Sequence, residues 1–473
     1  MTQQQEYQFL FPFEKIQAGS RVLIYGAGVM GQAYYQQLRM TGYADCLGFV
    51  DREWKEYEGS TPPVYAMDQI RGLNYDAIVI ALRIASRARL VERDLCRAGV
   101  PLEKICYIAP RVEEPFILYK SSQKTSVHAF AYEHGGISIA IRLGNGLGSA
   151  VIKKRFYEEL VRIFPSAHID LYSMMKKEDL QAIYGMEESL NEMIQENGVV
   201  YESKKRNYTL AFRMPSSLIL DYVDYDALRA LAPGEEARFR RLEAFHQTDA
   251  GQVYKLPNFI RVARLRYRGE NCYTAYNCHG IFDIHDSVVH IPLNEKWDAD
   301  FKALNLHRYI TLNYGNGQSM EKESGVDKQW PFAYFQQFVE LFKDKYPDVT
   351  IVQLGSKDAQ KIHGVDRYLF GENLELIKYV LKHALFHLDI EGGLVHLGSQ
   401  LGTKCIVLWG PTNPEFVQYD NNVNLHAGDC HGCWGLYKDA YHCARDMDKP
   451  ACMYDLKPQL VMDAAVQVME QSL

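Results

Sequence analysis

Three glycine-bearing stretches and one cysteine cluster are the places where this sequence could do chemistry. In DIEGGLVHLGSQLG, Glu391, Gly392 and Gly393 are followed three residues later by His396, and the next apolar run closes on Gly410, Pro411 and Thr412 in LWGPTNP. Glycines at the start of a helix let backbone N–H groups approach a phosphate, and the acid could face a sugar or ribose hydroxyl. Lys328, in DKQWP, stands poised at the head of another amphipathic run. A second glycine loop, RLGNGLGSA, carries Ser149, and a third, YGAGVMG, supplies Gly26, Gly28 and Gly31 with Asp51 twenty residues beyond. That last spacing suits a dinucleotide, the acid reaching a ribose hydroxyl. Each feature has a plainer reading: a tight turn for the glycines, a satisfied core histidine for His396, a solvated side chain for Lys328.

Cys430, Cys433, Cys443 and Cys452 form a CxxC followed by two more thiols. Thiolates so spaced could close a tetrahedral site, normally structural, for zinc or iron. His431 and His442 are alternative ligands; free thiols or a disulfide are the plainer reading.

The elements that must position these residues alternate. RVLIYGAGVMGQAYYQQL gives strand, glycine turn and helix, and LGFVD, DAIVIAL and KICYI add apolar runs, half of a doubly wound sheet. From 136, GISIAIRLGNGLGSAVIKKRFYEELVRIF and AHIDLYS begin a second βαβ unit. Residues 185–300 are Tyr-rich with few clean periods, and YRGENCYTAYNCHGIFDIHD reads as hairpin or loop. Alternation returns at RYITLNYG and runs through VTIVQLG, LFHLDI and KCIVLWG to a last helix, QLVMDAAVQVMEQ, long enough to cross back over its neighbour. Boundaries fall at 1–125, 126–303 and 304–473.

With 473 residues the chain has room for about three domains, at roughly 100–200 residues each. Forty-seven percent hydrophobic and 23% charged residues exclude a disordered or fibrous chain, and a net charge of −7 gives no basic footprint for nucleic acid, local runs such as KKRF at 153–156 aside. No secretory leader and no long apolar span is evident, so a cytoplasmic protein without a transmembrane segment is expected, with peripheral membrane contact left open.

From about 136 to 470 the chain resembles the family 9 glycosyltransferases, the heptosyltransferase-like group. IRLGNGLGS resembles that family's first strand and loop, FPSAHIDLYS its second strand, KQWP its Lys-x-Trp-Pro, EGGLVHL its Asp-Ser/Thr-Gly-x-x-His-Leu, and LGTKCIVLWGPTNP its Leu-Gly-x-Pro…Phe-Gly-Pro-Thr-Asp-Pro. The match is weak between 185 and 300. The resemblance implies an α/β GT-B fold, two Rossmann-like domains facing a cleft, here preceded by a small Rossmann-like domain. It implies inverting transfer of a sugar, heptose among the options, from a nucleoside-diphosphate sugar to a glycan or protein acceptor, as in cell-envelope polysaccharide synthesis. Lys328, Glu391, Gly392, Gly393, His396, Gly410, Pro411 and Thr412 would hold the donor, and Lys328, in the place of that family's positive group, would offset charge on the departing diphosphate. Some heptosyltransferase-like proteins that modify other proteins carry a cysteine-held iron near the C-terminus, which the cysteine cluster resembles.

Two departures matter. Glu391 replaces the family's usual Asp, and Ser149 stands where its proposed base, an Asp, is expected, with one extra residue in the loop. A serine hydroxyl does not take up a proton near neutral pH as a carboxylate does. Glu133, His134 or Asp170 would then supply the base, or the chain is a non-catalytic nucleotide-sugar-binding or scaffold protein. The N-terminal module, with GFVD followed by PVYAMDQI, looks like small nucleotide-binding modules attached to bacterial sugar-modifying enzymes. It is expected to bind NAD or another nucleotide as a sensor or scaffold; an oxidoreductase run by this module is a third reading.

Overall fold

A computed structural model describes residues 5–110, 112–118, 136–196, 198–256, 258–315, 328–434, 443–447 and 450–471. The chain divides into two compact units, Met1–Gly135 with Gln195–Tyr208, and Gly136–Ile194 with Thr209–Leu473.

In the first unit β1 (Gln5–Phe9) pairs antiparallel with β7 (Val112–Leu118). The main sheet has the order β4-β3-β2-β5-β6, all parallel, built from β2 (Arg21–Tyr25), β3 (Asp45–Val50), β4 (Val64–Tyr65), β5 (Ala77–Ile80) and β6 (Ile105–Cys106). Val22, Leu23 and Ile24 are fully buried, as a central parallel strand covered on both faces requires. The crossovers α1 (Val29–Thr41) and α2 (Ala85–Arg97) complete a Rossmann-like module. Gly42 ends α1 in the left-handed region, φ 61°, its N–H donating to Leu38 O.

The second unit holds two further sheets. The first, in the order β10-β9-β8-β11-β12, comprises β8 (Ser138–Leu143), β9 (His168–Ser173), β10 (Leu190–Gln195), β11 (Leu210–Met214) and β12 (Ile219–Val223), the last antiparallel to β11. Helix α3 (Leu147–Ile163) joins β8 to β9 and α4 (Lys177–Tyr184) joins β9 to β10. After β10 the chain gives α5 (Val199–Lys204) to the first unit, where Val199 joins the core around α1.

Helices α6 (Tyr225–Leu231), α7 (Glu236–Gln247), α8 (Asp249–Gln252), α9 (Asn258–Tyr267) and α10 (Asp298–Ala303) follow. The segment expected as hairpin or loop has no strand: α9 ends within it and a 3₁₀ turn spans Thr274–Asn277.

The second sheet runs β15-β14-β13-β16-β17-β18, all parallel, from β13 (Tyr309–Asn313), β14 (Thr350–Gly355), β15 (Arg367–Phe370), β16 (His387–Ile390), β17 (Cys405–Trp409) and β18 (Val423–His426). Around it lie α11 (Phe332–Lys345), α12 (Leu374–Lys382), α13 (Gly393–Gln400), α14 (Pro414–Val417), α15 (Ala451–Tyr454) and α16 (Pro458–Gln471). Every residue of β17 is buried. The buried face of helix α16 joins the core of this second sheet with α11. The architecture is GT-B: two Rossmann-like halves within one unit, with a small Rossmann-like domain earlier in the chain. Among the described residues no helix is long and apolar enough to cross a membrane.

Candidate active site

Two of the glycine loops come together. α3 starts at the carboxyl end of β8 and α13 at the carboxyl end of β16, the edge where open α/β sheets take ligands. Gly146 caps α3 with φ 103°, a conformation that favours glycine, and Gly392 caps α13; neither helix has a side-chain N-cap. A Cβ on Gly148 would lie 2.4 Å from His396 Cδ2, and one on Gly393 would lie 2.7 Å from Leu147 Cβ. Both glycines are therefore needed for the two helix starts to touch. The first N–H groups of a helix lack intrahelical partners and carry its positive end, so the contact gathers two anion-attracting ends at one place.

Lys328 is brought there by Trp330, fully buried, whose Nε1 donates to Leu456 O at 2.7 Å. Lys328 Nζ donates to Glu391 O and Glu391 Oε2, both at 2.9 Å. An ammonium has three N–H donors, so one is left for a ligand. Glu391 Oε1 lies 3.3 Å from His396 Nε2. Burial acts to raise the Glu391 carboxyl, but the Lys328 charge and the His396 hydrogen bond and charge outweigh it and hold the group well below the usual carboxylate range.

Beneath this pair, Asn313 Nδ2 donates to both Asp389 oxygens at 3.1 and 3.0 Å, tying the ends of β13 and β16.

Residues with no local sequence signal extend the network. His396 Nδ1 lies 2.7 Å from the Tyr419 hydroxyl, which lies 2.5 Å from that of Tyr273. Gln400 Nε2 donates to Tyr273 at 3.3 Å and to Ser287 O at 2.6 Å, while Gln400 Oε1 accepts from Val289 N at 2.8 Å, which fixes the amide's orientation. Burial pushes both phenols up, so each keeps its single proton.

Glu391→Gln is expected to lower stability at pH 7 by about 1–3 kcal/mol, because it leaves a mostly buried ammonium without its countercharge. The carboxyl is depressed in the folded state, so its contribution is present above the unfolded value near 4.3 and is lost as pH falls through the folded one. Denaturant melts of wild type and variant should therefore converge in acid.

Ser149 lies in the first turn of α3, one residue after the glycine that meets His396. Asp170 is buried within β9 and accepts from Asn191 Nδ2 at 2.8 Å. Glu133 and His134 lie outside the described residues. Gly410 and Pro411 are clamped from behind: their carbonyls accept from Gly432 N at 3.0 Å and Trp434 N at 2.7 Å, and a Gly410 Cβ would lie 2.5 Å from Met453 Sδ. Thr412 remains half-buried on that loop.

The expected zinc or iron site is corrected by the structure. Among the described residues no three His, Cys, Asp or Glu side chains are grouped to hold a metal ion, and all ten cysteines are free. Cys430 and Cys433 sit on the loop after β18 and Cys452 is in α15, buried in the core of the second sheet, with Cys430 partly buried against that core. Burial, with the neighbouring Cys430, Cys433 and Cys443, pushes the Cys452 thiol up to about 12. The His431 ring packs against His426 at 4.2 Å; His442 lies outside the described residues.

In the N-terminal module Asp51 and the glycine motif lie together. Asp51 Oδ2 accepts from Ala27 N at 2.8 Å and Oδ1 from Glu53 N at 3.0 Å, so the acid meant for a ribose holds its own loop. A Gly31 Cβ would sit 1.8 Å from Gly26 O, and Gly26 has φ 103°; tight packing accounts for both glycines, while Gly28 faces open space.

No family profile and no curated protein sequence matches the chain. Among solved structures it is similar to the E. coli ADP-heptose LPS heptosyltransferase II, at 13% identity over 71% of this chain and 99% of that one, TM-score 0.46. A family 9 glycosyl transferase from Veillonella parvula is 15% identical over 71% and 98%, TM-score 0.43. An iron-containing dodecameric glycosyltransferase, TibC, from enterotoxigenic E. coli is 10% identical over 72% and 77%, TM-score 0.44.

Proposed function

We propose that this chain transfers a sugar from a nucleoside-diphosphate sugar to a hydroxyl of a glycan or protein acceptor, with inversion at the anomeric carbon. The observation that carries this reading is the meeting of two uncapped helix starts beside Lys328, Glu391 and His396, at the carboxyl ends of both sheets. Departure of a diphosphate builds negative charge at its leaving oxygen, and fixed N–H groups with one ammonium stabilise that charge without reorganising. Lys328 carries the compensating charge. Gly392, Gly393 and the first turn of α13 face the phosphates, and Glu391 with His396 holds Lys328 in place and presents a carboxylate edge to the sugar. Gly410, Pro411 and Thr412 form the outer wall, and Ser149 marks the acceptor side.

The test is turnover. Full-length protein incubated with UDP-, GDP- and ADP-linked sugars should release the nucleoside diphosphate from one of them, to water slowly and to a hydroxyl acceptor faster. Binding of one nucleotide sugar with no release under any acceptor condition would instead support a binding or scaffold protein.

A further inference from the structure

Two neighbouring lysines of α3 are both withdrawn from solvent, and only one is paired. Lys154 is fully buried, donates to Ile183 O at 2.7 Å and contacts Glu187 at 2.6 Å. Lys153 is 2% exposed, and among the described residues it has no hydrogen-bond acceptor and no carboxylate partner. A buried ammonium without a partner costs several kcal/mol, and the usual outcome is that the group gives up its proton. Burial, joined by the charges of Arg142 on β8 and Arg261 on α9, brings Lys153 down to about 7.

The amine lies at the same edge as the candidate site. Its Nζ is 3.0 Å from the point where Gly144 would carry a Cβ, and Ser149 Oγ is 3.8 Å from that same point. The next residue toward the other half, Gly148, is the one that meets His396. A side chain at 144 would crowd this space; glycine leaves the amine and the hydroxyl facing the loop together.

We propose that Lys153 is the general base of the transfer, in the place where Ser149 cannot serve. This rests on the sugar-transferase reading above. The acceptor oxygen forms its bond to the anomeric carbon while the bond from that carbon to the diphosphate oxygen breaks, its electron pair leaving with the diphosphate. The acceptor's proton passes to the Nζ lone pair, giving an ammonium. The permanent charges of Arg142 and Arg261 then favour return of that proton to water once products leave. Lys154, already committed to Ile183 and Glu187, has no such role.

The test compares Lys153→Met and Lys153→Arg in the full chain, using whichever of the UDP-, GDP- and ADP-linked sugars wild type turns over. Both variants should lose about 10²–10⁴-fold in transfer rate, the usual range for a general base. Binding of the matching nucleoside diphosphate should be unchanged, and Lys153→Met should melt no lower than wild type. Ethylamine added to Lys153→Ala should restore part of the rate. Retained transfer in Lys153→Arg would make the residue a fixed charge and overturn the assignment, as would retained transfer in Lys153→Met or no rescue of Lys153→Ala. A wild type that turns over no donor overturns the transferase reading and this role with it.

Discussion

Lys328→Ala should reduce transfer by about 10²–10³-fold, the scale seen when one preorganised group facing a developing oxyanion is removed. The substitution has a second consequence. Lys328 supplies the charge that holds the Glu391 carboxyl down, so its removal leaves a largely buried carboxylate whose remaining partner is His396. Lys328→Arg restores charge, but its planar fork does not reproduce a single ammonium bonded to both Glu391 O and Glu391 Oε2, so only partial recovery is expected. Initial rates at saturating donor, with melting temperatures measured alongside, separate the catalytic loss from the structural one. A Lys328→Ala rate equal to wild type would remove the residue from the leaving-group site.

Gly148→Ala and Gly393→Ala should each damage both folding and activity, while Gly392→Ala should be tolerated in folding. The first two would place a methyl carbon 2.4 Å from the His396 ring and 2.7 Å from Leu147 Cβ, contacts that force one helix start away from the other. Overpacking of this kind costs about 1–3 kcal/mol. At Gly148 the ring that must move is bonded to both Glu391 and Tyr419, so the rate should fall further than stability alone explains. A Gly392 Cβ would meet nothing nearer than Ile390 O at 3.7 Å, and its φ of −171° is extended backbone open to any residue. Denaturant midpoints for the three variants check this; equal midpoints would mean that the contact between the helix starts is not tight.

The parts of the site that sequence reveals are those whose signal is local. A β-branched run followed by glycines marks the helix starts at Gly146 and Gly393 because a positive φ at the first and a close approach at the second need a missing side chain. Lys328 is found because Trp330 and Pro331 punctuate the start of α11. Tyr273 and Tyr419 lie far apart in segments without periodicity, and their 2.5 Å contact is a product of tertiary folding alone. In KKRF the two lysines look alike; only burial and partners distinguish Lys153 from Lys154. The cysteine spacing suited a metal, but spacing does not fix how the side chains group, and among the described residues no three such ligands do. Asp51 has the right separation for a ribose, and only the fold shows that its carboxylate accepts from Ala27 N and Glu53 N.

The most direct measurement of the central claim is calorimetric titration of wild type and Lys328→Ala with ADP, UDP and GDP. One of the three should bind wild type, and its affinity for Lys328→Ala should fall about 10–100-fold, or about 1.4–2.7 kcal/mol. No binding of any nucleoside diphosphate, or equal binding to both proteins, would contradict a diphosphate site at the meeting of α3 and α13.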